Sequence, residues 1–440
     1  MRLTVYNLFG IIASKRGFSF GGKMNILIKN GYVVDPKNNL EGYYDVFIEE
    51  GFISRVNQNI DIQNCETIDA KGKMVCPGFV DAHVHLRIPG FDFKEDLVSG
   101  TKAALRGGVT SVAAMPNTKP VIDTIDKLND VKRKIEEEAL IEVFPIVSVT
   151  KDQDGKELVD FKKLETETVA FSDDGMPIMD KVVLEKAFES LPDSALIISH
   201  CEDFTVSKLY TDGPWPCVGE SKMVKRNVEV AKKYNKRIHI AHISCKDSLD
   251  HIVEAKNNGT KVTCEVTPHH FSLAKEEVNI KSTYTKVNPP IRSKENLNAI
   301  IEGIKNNQID IIATDHAPHE KASKEVEYQK ASNGISGVET SFSLAYTNLV
   351  KKEGIELSKV IAMMTFKPAE ILRIKRGSIG VGDIADIAII DLNKKWKIES
   401  DKFASKGKNT PFDGHEVYGE VETTIKNGII KFKRGVKYEY

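Results

Sequence analysis

Between Gly78 and Thr314, short apolar segments alternate with amphipathic ones eight times, and this repeat restricts the fold more than any other feature of the chain. The apolar segments are Gly78–His85, Val109–Met115, Ile141–Val149, Thr168–Ser172, Ala195–Ser199, Arg237–His242, Lys261–Val266 and Ile309–Thr314. They are brief and rich in Val and Ile, so they read as buried strands. Helical periodicity fills the gaps, as in Phe93–Arg106, Lys127–Ala139, Asp180–Ser190, Val218–Tyr234, Lys246–Asn258 and Lys294–Lys305. Strands separated by helices pair in parallel, and eight such units close into a barrel whose reactive end lies at the strand C-termini. The expected fold class is α/β, a (β/α)8 TIM barrel.

The two flanks have another texture. Ile26–Ile28, Tyr32–Val34, Asp45–Ile48 and Ile53–Val56 are short β segments separated by Asn30-Gly31, Lys37-Asn38-Asn39 and Glu50-Gly51, which are hairpin signals. The pattern returns in Asp386–Asp391 and in Val421–Phe432, where Asn427-Gly428 divides two runs. Both chain ends are therefore expected to build one small β-sandwich domain, from residues 24–76 and 375–440, beside a barrel of residues 77–374. Residues 1–23 read as an extension: Gly21-Gly22-Lys23 is what a purine-rich ribosome-binding site would encode if read through, making Met24 the start.

Lys plus Arg number 62 against 63 for Asp plus Glu, which speaks against a nucleic-acid or membrane surface. No apolar run reaches the roughly 18 to 20 residues of a membrane span. Cys65, Cys76, Cys201, Cys217, Cys245 and Cys264 include no Cys-x-x-Cys pair, as expected of a reduced cytoplasmic protein without disulfides.

The chemistry gathers at the strand ends. His83 and His85 close the first strand; alternation puts them on one face, with Val84 and Leu86 on the other. Alone, such a pair reads equally well as an ordinary polar strand end. The later strands end in Met115-Pro116-Asn117, Ser172-Asp173-Asp174, Ser199-His200-Cys201-Glu202-Asp203, Ala241-His242, Thr267-Pro268-His269-His270 and Thr314-Asp315-His316-Ala317-Pro318-His319. Structural histidines have no reason to follow the repeat in this way. Imidazoles and carboxylates without thiolates suit catalytic Zn²⁺ or Mn²⁺. Four or more histidines with two aspartates are enough for two ions bridged by a carboxylate and a hydroxide, a set suited to hydrolysis at a carbonyl or its reversal. Spacing alone does not choose between Asp173 and Asp174.

Val80-Asp81-Ala82-His83-Val84-His85-Leu86-Arg87-Ile88-Pro89-Gly90, Ala114-Met115-Pro116-Asn117-Thr118, Asn288-Pro289-Pro290-Ile291-Arg292 and Ala313-Thr314-Asp315-His316-Ala317-Pro318-His319 resemble the bacterial dihydroorotases of the amidohydrolase superfamily. The resemblance runs from about Met24 to the C-terminus. It implies the reversible cyclisation of N-carbamoyl-L-aspartate to dihydroorotate in pyrimidine synthesis. It also implies two Zn²⁺ per subunit, with Mn²⁺ or Co²⁺ as substitutes. By similarity His83, His85 and Asp315 hold one ion, His200 and His242 the other, and Asp174 bridges them. Asp315 is the acid and base; His85, Arg87, Asn117, Asn288 and His319 contact substrate, and Asn333 and Gly334 do so through backbone groups. The residues themselves agree in part: Arg87 shares the face of the histidine pair, and its planar fork suits a carboxylate. The partners the resemblance admits are the small-molecule substrate, a second copy of the chain and aspartate carbamoyltransferase.

Other residues carry blander readings. His239, His251 and His415 are assigned to packing or surface, and Cys201 to packing, because it points away from His200 in a strand. His269, His270 and His316 lie in the reactive layer and are expected to support the ligands from behind. Hydantoinases, dihydropyrimidinases and allantoinases are the competing enzymes, and they bridge their metals with a carboxylated lysine; no lysine stands near the tip Phe171-Ser172-Asp173-Asp174. An inactive scaffold for aspartate carbamoyltransferase should have lost ligands, and all six expected ones are present. Two departures from the family pattern are Ile88 in place of Glu and Ser332-Asn333 in place of Pro-Phe.

Overall fold

The computed structural model describes residues 25–438, so the reading of residues 1–23 lies outside the described residues. Five strands come first: β1 (Ile26–Asp35), β2 (Leu40–Glu49), β3 (Phe52–Asn57), β4 (Glu66–Asp69) and β5 (Met74–Pro77). The barrel follows with β6 (Phe79–Val84), β7 (Val109–Ala114), β8 (Glu142–Pro145), β9 (Leu196–Ser199), β10 (Arg237–Ile240), β11 (Val262–Val266) and β12 (Ile311–Ile312). The chain ends in β13 (Ile387–Lys397), β14 (Glu416–Lys426) and β15 (Ile429–Lys433).

Strands from both ends form one eight-stranded sheet in the order β15-β14-β13-β5-β1-β2-β3, with β4 also on β1. Its apolar face gathers Ile28, Val33, Val46, Ile48, Val75, Ile387, Ile389 and Ile425 into a cluster separate from that of the barrel. Two hairpins turn where the dipeptides indicate, with positive φ at both Glu50-Gly51 (53° and 90°) and Asn427-Gly428 (52° and 73°). Asn30-Gly31 does not turn the chain. β1 runs through it with an irregular register, because Asp45 Oδ1 accepts from Asn30 N at 2.8 Å and takes up the extra residue.

The barrel is two parallel sheets, β6-β7-β8 and β12-β11-β10-β9, closed by single bridges. Val84 pairs with His316 on one side, and Phe171 pairs with Val147 and Ile197 on the other. The expected fourth strand thus contracts to one residue, Phe171, whose N–H donates to Leu196 O at 2.8 Å and whose O accepts from Ile198 N at 2.8 Å. Its extension is stopped by Asp173, whose Oδ1 takes the N–H groups of Val149 (2.8 Å) and Thr150 (3.1 Å). The eighth strand shortens for the same reason: Asp81 Oδ1 accepts from Thr314 N at 3.0 Å, and Asp310 Oδ2 from Cys264 N at 2.7 Å. Carboxylates replace ladder carbonyls at both of its ends.

The helices form where periodicity places them, for example Val218–Lys233, Lys246–Asn257 and Lys294–Lys305. The first barrel helix, Leu97–Arg106, begins four residues later than expected, because the Asp96 carboxylate accepts from Ser99 N at 2.7 Å and caps it. Leu97, Leu105, Leu128, Phe188, Val224 and Ile300 pack with Val84, Val112, Ile240 and Val266 in one continuous core. With Val84 turned to the helices, His83 and His85 face the barrel interior. The cysteine expectation fails at one place: Cys217 and Cys245 form a disulfide. Each lies directly before the helix that follows its strand, so neighbouring β-α units bring together two residues that are 28 apart in sequence.

Phe79 opens β6 at the end remote from the histidines, fully buried, with its ring 5.2 Å from that of Phe342. Phe79→Ala is expected to cost about 3–5 kcal/mol through lost burial and the cavity left behind. Calorimetry should show a clearly lower unfolding temperature with metal stoichiometry unchanged. An unaltered transition would show that this end of the barrel contributes little.

Candidate metal centre

Parity and strand termination bring the site together. His83 is the penultimate residue of β6 and points inward, and His85 lies just beyond the strand end, its N–H donating to His316 O at 2.8 Å across the barrel seam. Asp174 follows the Asp173 anchor. His200 follows β9, and His242 follows β10 with a φ of 32°. Asp315, beyond the Thr314–Asp81 clasp, has a φ of 47°. Arg87 has a φ of 62°, so three neighbours of the centre hold left-handed backbone that bulky residues rarely adopt.

Asp174 occupies the middle. Its Oδ1 is 3.5 Å from His83 Nε2, 3.6 Å from His200 Nδ1 and 3.4 Å from His242 Nε2, and its Oδ2 is 3.4 Å from His85 Nε2. Asp315 Oδ1 lies 3.0 Å from His85 Nε2 and 3.6 Å from His83 Nε2. His83, His85 and Asp174 form one group whose donor atoms lie within 4.8 Å of each other; Asp174, His200 and His242 form a second. Both groups are buried and share Asp174. Structure thereby separates two neighbours that spacing could not: Asp173 holds backbone, while Asp174 meets all four imidazoles.

The far nitrogen of each of three rings is held. His83 Nδ1 meets Glu265 Oε1 at 2.6 Å, His85 Nδ1 meets Asn117 Oδ1 at 2.8 Å, and His200 Nε2 meets Glu202 Oε2 at 3.0 Å. An N–H donated outward frees the opposite nitrogen to act as a ligand, the tautomer a metal requires. His83 Nε2 and Asp174 Oδ1 have no hydrogen-bond partner despite complete burial. Orphaned polar atoms among hard and borderline donors fit a divalent cation. Electrostatics agree. Burial alone would lower the His83 pKa, yet Asp174 and Glu265 outweigh it and hold the ring well above the usual range. Burial would likewise raise Asp315, but the His85 hydrogen bond and the other imidazoles hold it down at about 2. The pocket favours positive charge between its carboxylates.

The expected substrate contacts surround this centre unequally. Arg87 Nε donates to Pro318 O at 3.3 Å, and its Nη2 is 3.2 Å from His319 Nε2. His319 Nε2 is also 2.8 Å from Asn333 O, a carbonyl that can only accept, so this nitrogen carries the proton and does not accept from Arg87. Burial, then Arg87, lower the His319 pKa to about 2 and keep it neutral. Asn288 has both amide atoms engaged, donating to Glu202 at 2.6 Å and accepting from Trp215 Nε1 at 3.1 Å. His270 bridges Thr267 and Pro289 O, and His316 accepts from Gly337 N at 3.1 Å, both behind the centre. His239 packs inside β10 against Glu265 at 3.1 Å, and burial pushes the Cys201 thiol up to about 12.

Sequence reasoning assigned no role to Glu265, Glu202 or Asp81. Glu265 is the most consequential, since it also accepts from His242 N at 3.2 Å. Its signal was present: a lone carboxylate inside the run Val262-Thr263-Cys264-Glu265-Val266 must be buried and therefore must have partners.

Comparison with known proteins decides the family. The amidohydrolase family model matches residues 74–430. The dihydroorotase of Thermoanaerobacter sp. is 44% identical over 430 residues, covering 94% of this chain and 99% of that protein. The dihydroorotase of Aquifex aeolicus is 41% identical over 422 residues, 93% of this chain and all of that protein. This chain belongs to the dihydroorotase family of amidohydrolases. Among solved structures, an L-hydantoinase (dihydropyrimidinase) from Arthrobacter aurescens superposes with a TM-score of 0.87 at 25% identity, covering 94% of this chain and 98% of that one. That likeness agrees with the barrel and its β-rich companion, while sequence kinship lies with the dihydroorotases.

Glu265→Gln keeps the size but removes the charge that fixes His83. It is expected to weaken metal binding roughly 10–100-fold, as loss of a carboxylate behind a histidine ligand does. Chelator competition on the purified variant measures this, and unchanged affinity would free Glu265 from the role.

Proposed function

We propose that this protein is a dihydroorotase: it joins the terminal ureido nitrogen of N-carbamoyl-L-aspartate to the side-chain carboxyl carbon with loss of water, and catalyses the reverse ring opening, in pyrimidine synthesis in the cytoplasm. The observation that carries the reading is Asp174 touching all four histidines, in a chain that matches dihydroorotases along nearly its whole length. The donor set fits two Zn²⁺ ions, one on His83, His85 and Asp315 and one on His200 and His242, with Asp174 shared. Such ions supply Lewis acidity and lower the pKa of water.

The residues do the rest. Asp315, held ionised by the His85 hydrogen bond and the neighbouring imidazoles, can take a proton from the attacking water and deliver it to the ring nitrogen that leaves. In cyclisation the same carboxylate takes the proton from the incoming nitrogen. Arg87 presents a planar fork for the substrate's spectator carboxylate, with His319 and the amide of Asn117 beside it. Asn288, held by Glu202 and Trp215, stands toward the ring, and Asn333 reaches the site through its backbone carbonyl on His319. His85 joins the two halves, since it contacts Asp315 and Asn117 at once.

The class test is a coupled assay with carbamoyl aspartate and dihydroorotate beside hydantoin, dihydrouracil and allantoin. Turnover confined to the first two supports the reading; preference for any of the last three replaces it with a hydantoinase or allantoinase. Asp315→Asn cannot accept the proton and should lower kcat at least about 10²-fold with metal still bound. Near wild-type turnover would move the proton to another residue, His319 being the first to examine. Arg87→Lys should lose about 2 kcal/mol or more of transition-state stabilisation, because a point charge does not replace two parallel hydrogen bonds. Unchanged kcat/KM would remove Arg87 from the site.

A further inference from the structure

Behind the loop that carries Asn333 and Gly334 lies a lysine with no exposed surface. Lys324 ends the short helix Lys321–Lys324, and its side chain is fully buried. Among the described residues its ammonium meets carbonyls: Ser332 O at 2.8 Å, Gly334 O at 3.3 Å and Lys286 O at 3.5 Å. Two of these flank Asn333. Lys286 supports the same loop, its Nζ donating to Tyr328 O, Gln329 O and Ala331 O, and its own carbonyl accepting from Gly334 N at 3.0 Å. Burial, then Lys286, bring the Lys324 pKa down to about 7, since both disfavour a charge at this position.

A methionine would fill the same space at no such cost, so a purely packing role does not account for an ammonium here. What the ammonium does is gather carbonyls that would otherwise repel one another. With the carbonyls of residues 332 and 334 drawn to Lys324, the carbonyl of Asn333 points to His319 Nε2 at 2.8 Å. That contact sets the tautomer of His319. Gly334, with a φ of 138°, lies so close that an added Cβ would come within 2.6 Å of Ala317 O and 3.3 Å of His319 Cδ2.

We infer that Lys324 is a positioning residue for substrate binding: by clasping the carbonyls on either side of Asn333 it holds the loop against His319 and fixes the proton of that ring on Nε2. The inference rests on the reading of His319 and Asn333 as substrate contacts. Its signature is a split between constants. Loosening the loop weakens carboxylate binding, while the metal ligands and Asp315 are untouched.

The test uses metal-loaded Lys324→Met and Lys324→Gln; the second keeps a neutral donor on a side chain one bond shorter. For Lys324→Met we expect KM for carbamoyl aspartate, and the calorimetric Kd for dihydroorotate, to rise about tenfold or more, with kcat within about threefold and metal content unchanged. Lys324→Gln should fall between it and the wild type. Both constants within about twofold of wild type in Lys324→Met would overturn the inference, as would an equal fall in kcat without a KM effect. Failure of both variants to yield soluble, metal-loaded protein would assign the lysine to folding and overturn it too. His319→Ala separates this from the reading beneath: if that change leaves KM unaltered, the substrate assignment itself falls, whereas an impaired His319→Ala beside a normal Lys324→Met sinks only the clasp.

Discussion

The contact on which the site depends is that of one buried carboxylate, Asp174, with four imidazoles. Anions and histidines packed this densely are unstable in an apolar barrel unless opposite charge stands between them. The protein supplies part of that balance by proton sharing, seen in the depressed Asp174 and Asp315 and the raised His83. A divalent pair would supply the remainder, and the same ligands would then bind metal as neutral imidazoles and anionic carboxylates. Metal binding and local stability would therefore draw on one electrostatic arrangement.

That arrangement is held by further buried carboxylates that never face the centre. Asp81 clasps Thr314, Asp173 clasps Thr150, and Glu265 ties His83, His239 and His242 together. Burial outweighs their hydrogen bonds in Asp81 and Asp173, which are pushed up to about 6. Glu265 lies among imidazoles and is held well below the usual carboxylate range. Each of these groups takes backbone N–H or ring nitrogen at a place where the β ladder stops. The barrel strands are short because side chains take over the hydrogen bonding just where the clustered histidines and aspartates leave the ladder.

This division explains what was legible. Strand and helix positions follow from periodicity, so the eight-unit repeat, its helices and the histidine layer could be read directly. Asp173 against Asp174 could not, because both sit at the same strand tip and only the fold shows that Val149 and Thr150 capture the first. The turn at Asn30-Gly31 was misread because its preference for positive φ is equally met by a bulge, and the deciding partner, Asp45, is 15 residues away. The cysteine pair was missed because composition speaks of compartment, whereas pairing depends on which β-α units become neighbours. Carboxylates such as Glu265 were visible as anomalies in apolar runs, but their partners lie on other strands.

The small β domain is not a passive companion to this centre. Between β13 and β14 the chain leaves the sheet and returns to the barrel mouth, where Asn409 is buried. Its Oδ1 accepts from His319 N at 2.9 Å, and its Nδ2 donates to Gly334 O at 2.9 Å and Ala317 O at 3.1 Å. Its carbonyl accepts from Ser336 N at 2.7 Å. One side chain thus ties the His319 segment to the Asn333–Gly334 loop, sharing the Gly334 carbonyl with Lys324. Without Asn409 the buried carbonyls of Ala317 and Gly334 would each lose a donor. Folding β13 and β14 into one sheet anchors the two flanks of the 398–415 segment, so Asn409 holds the Asn333–Gly334 loop as part of the fold.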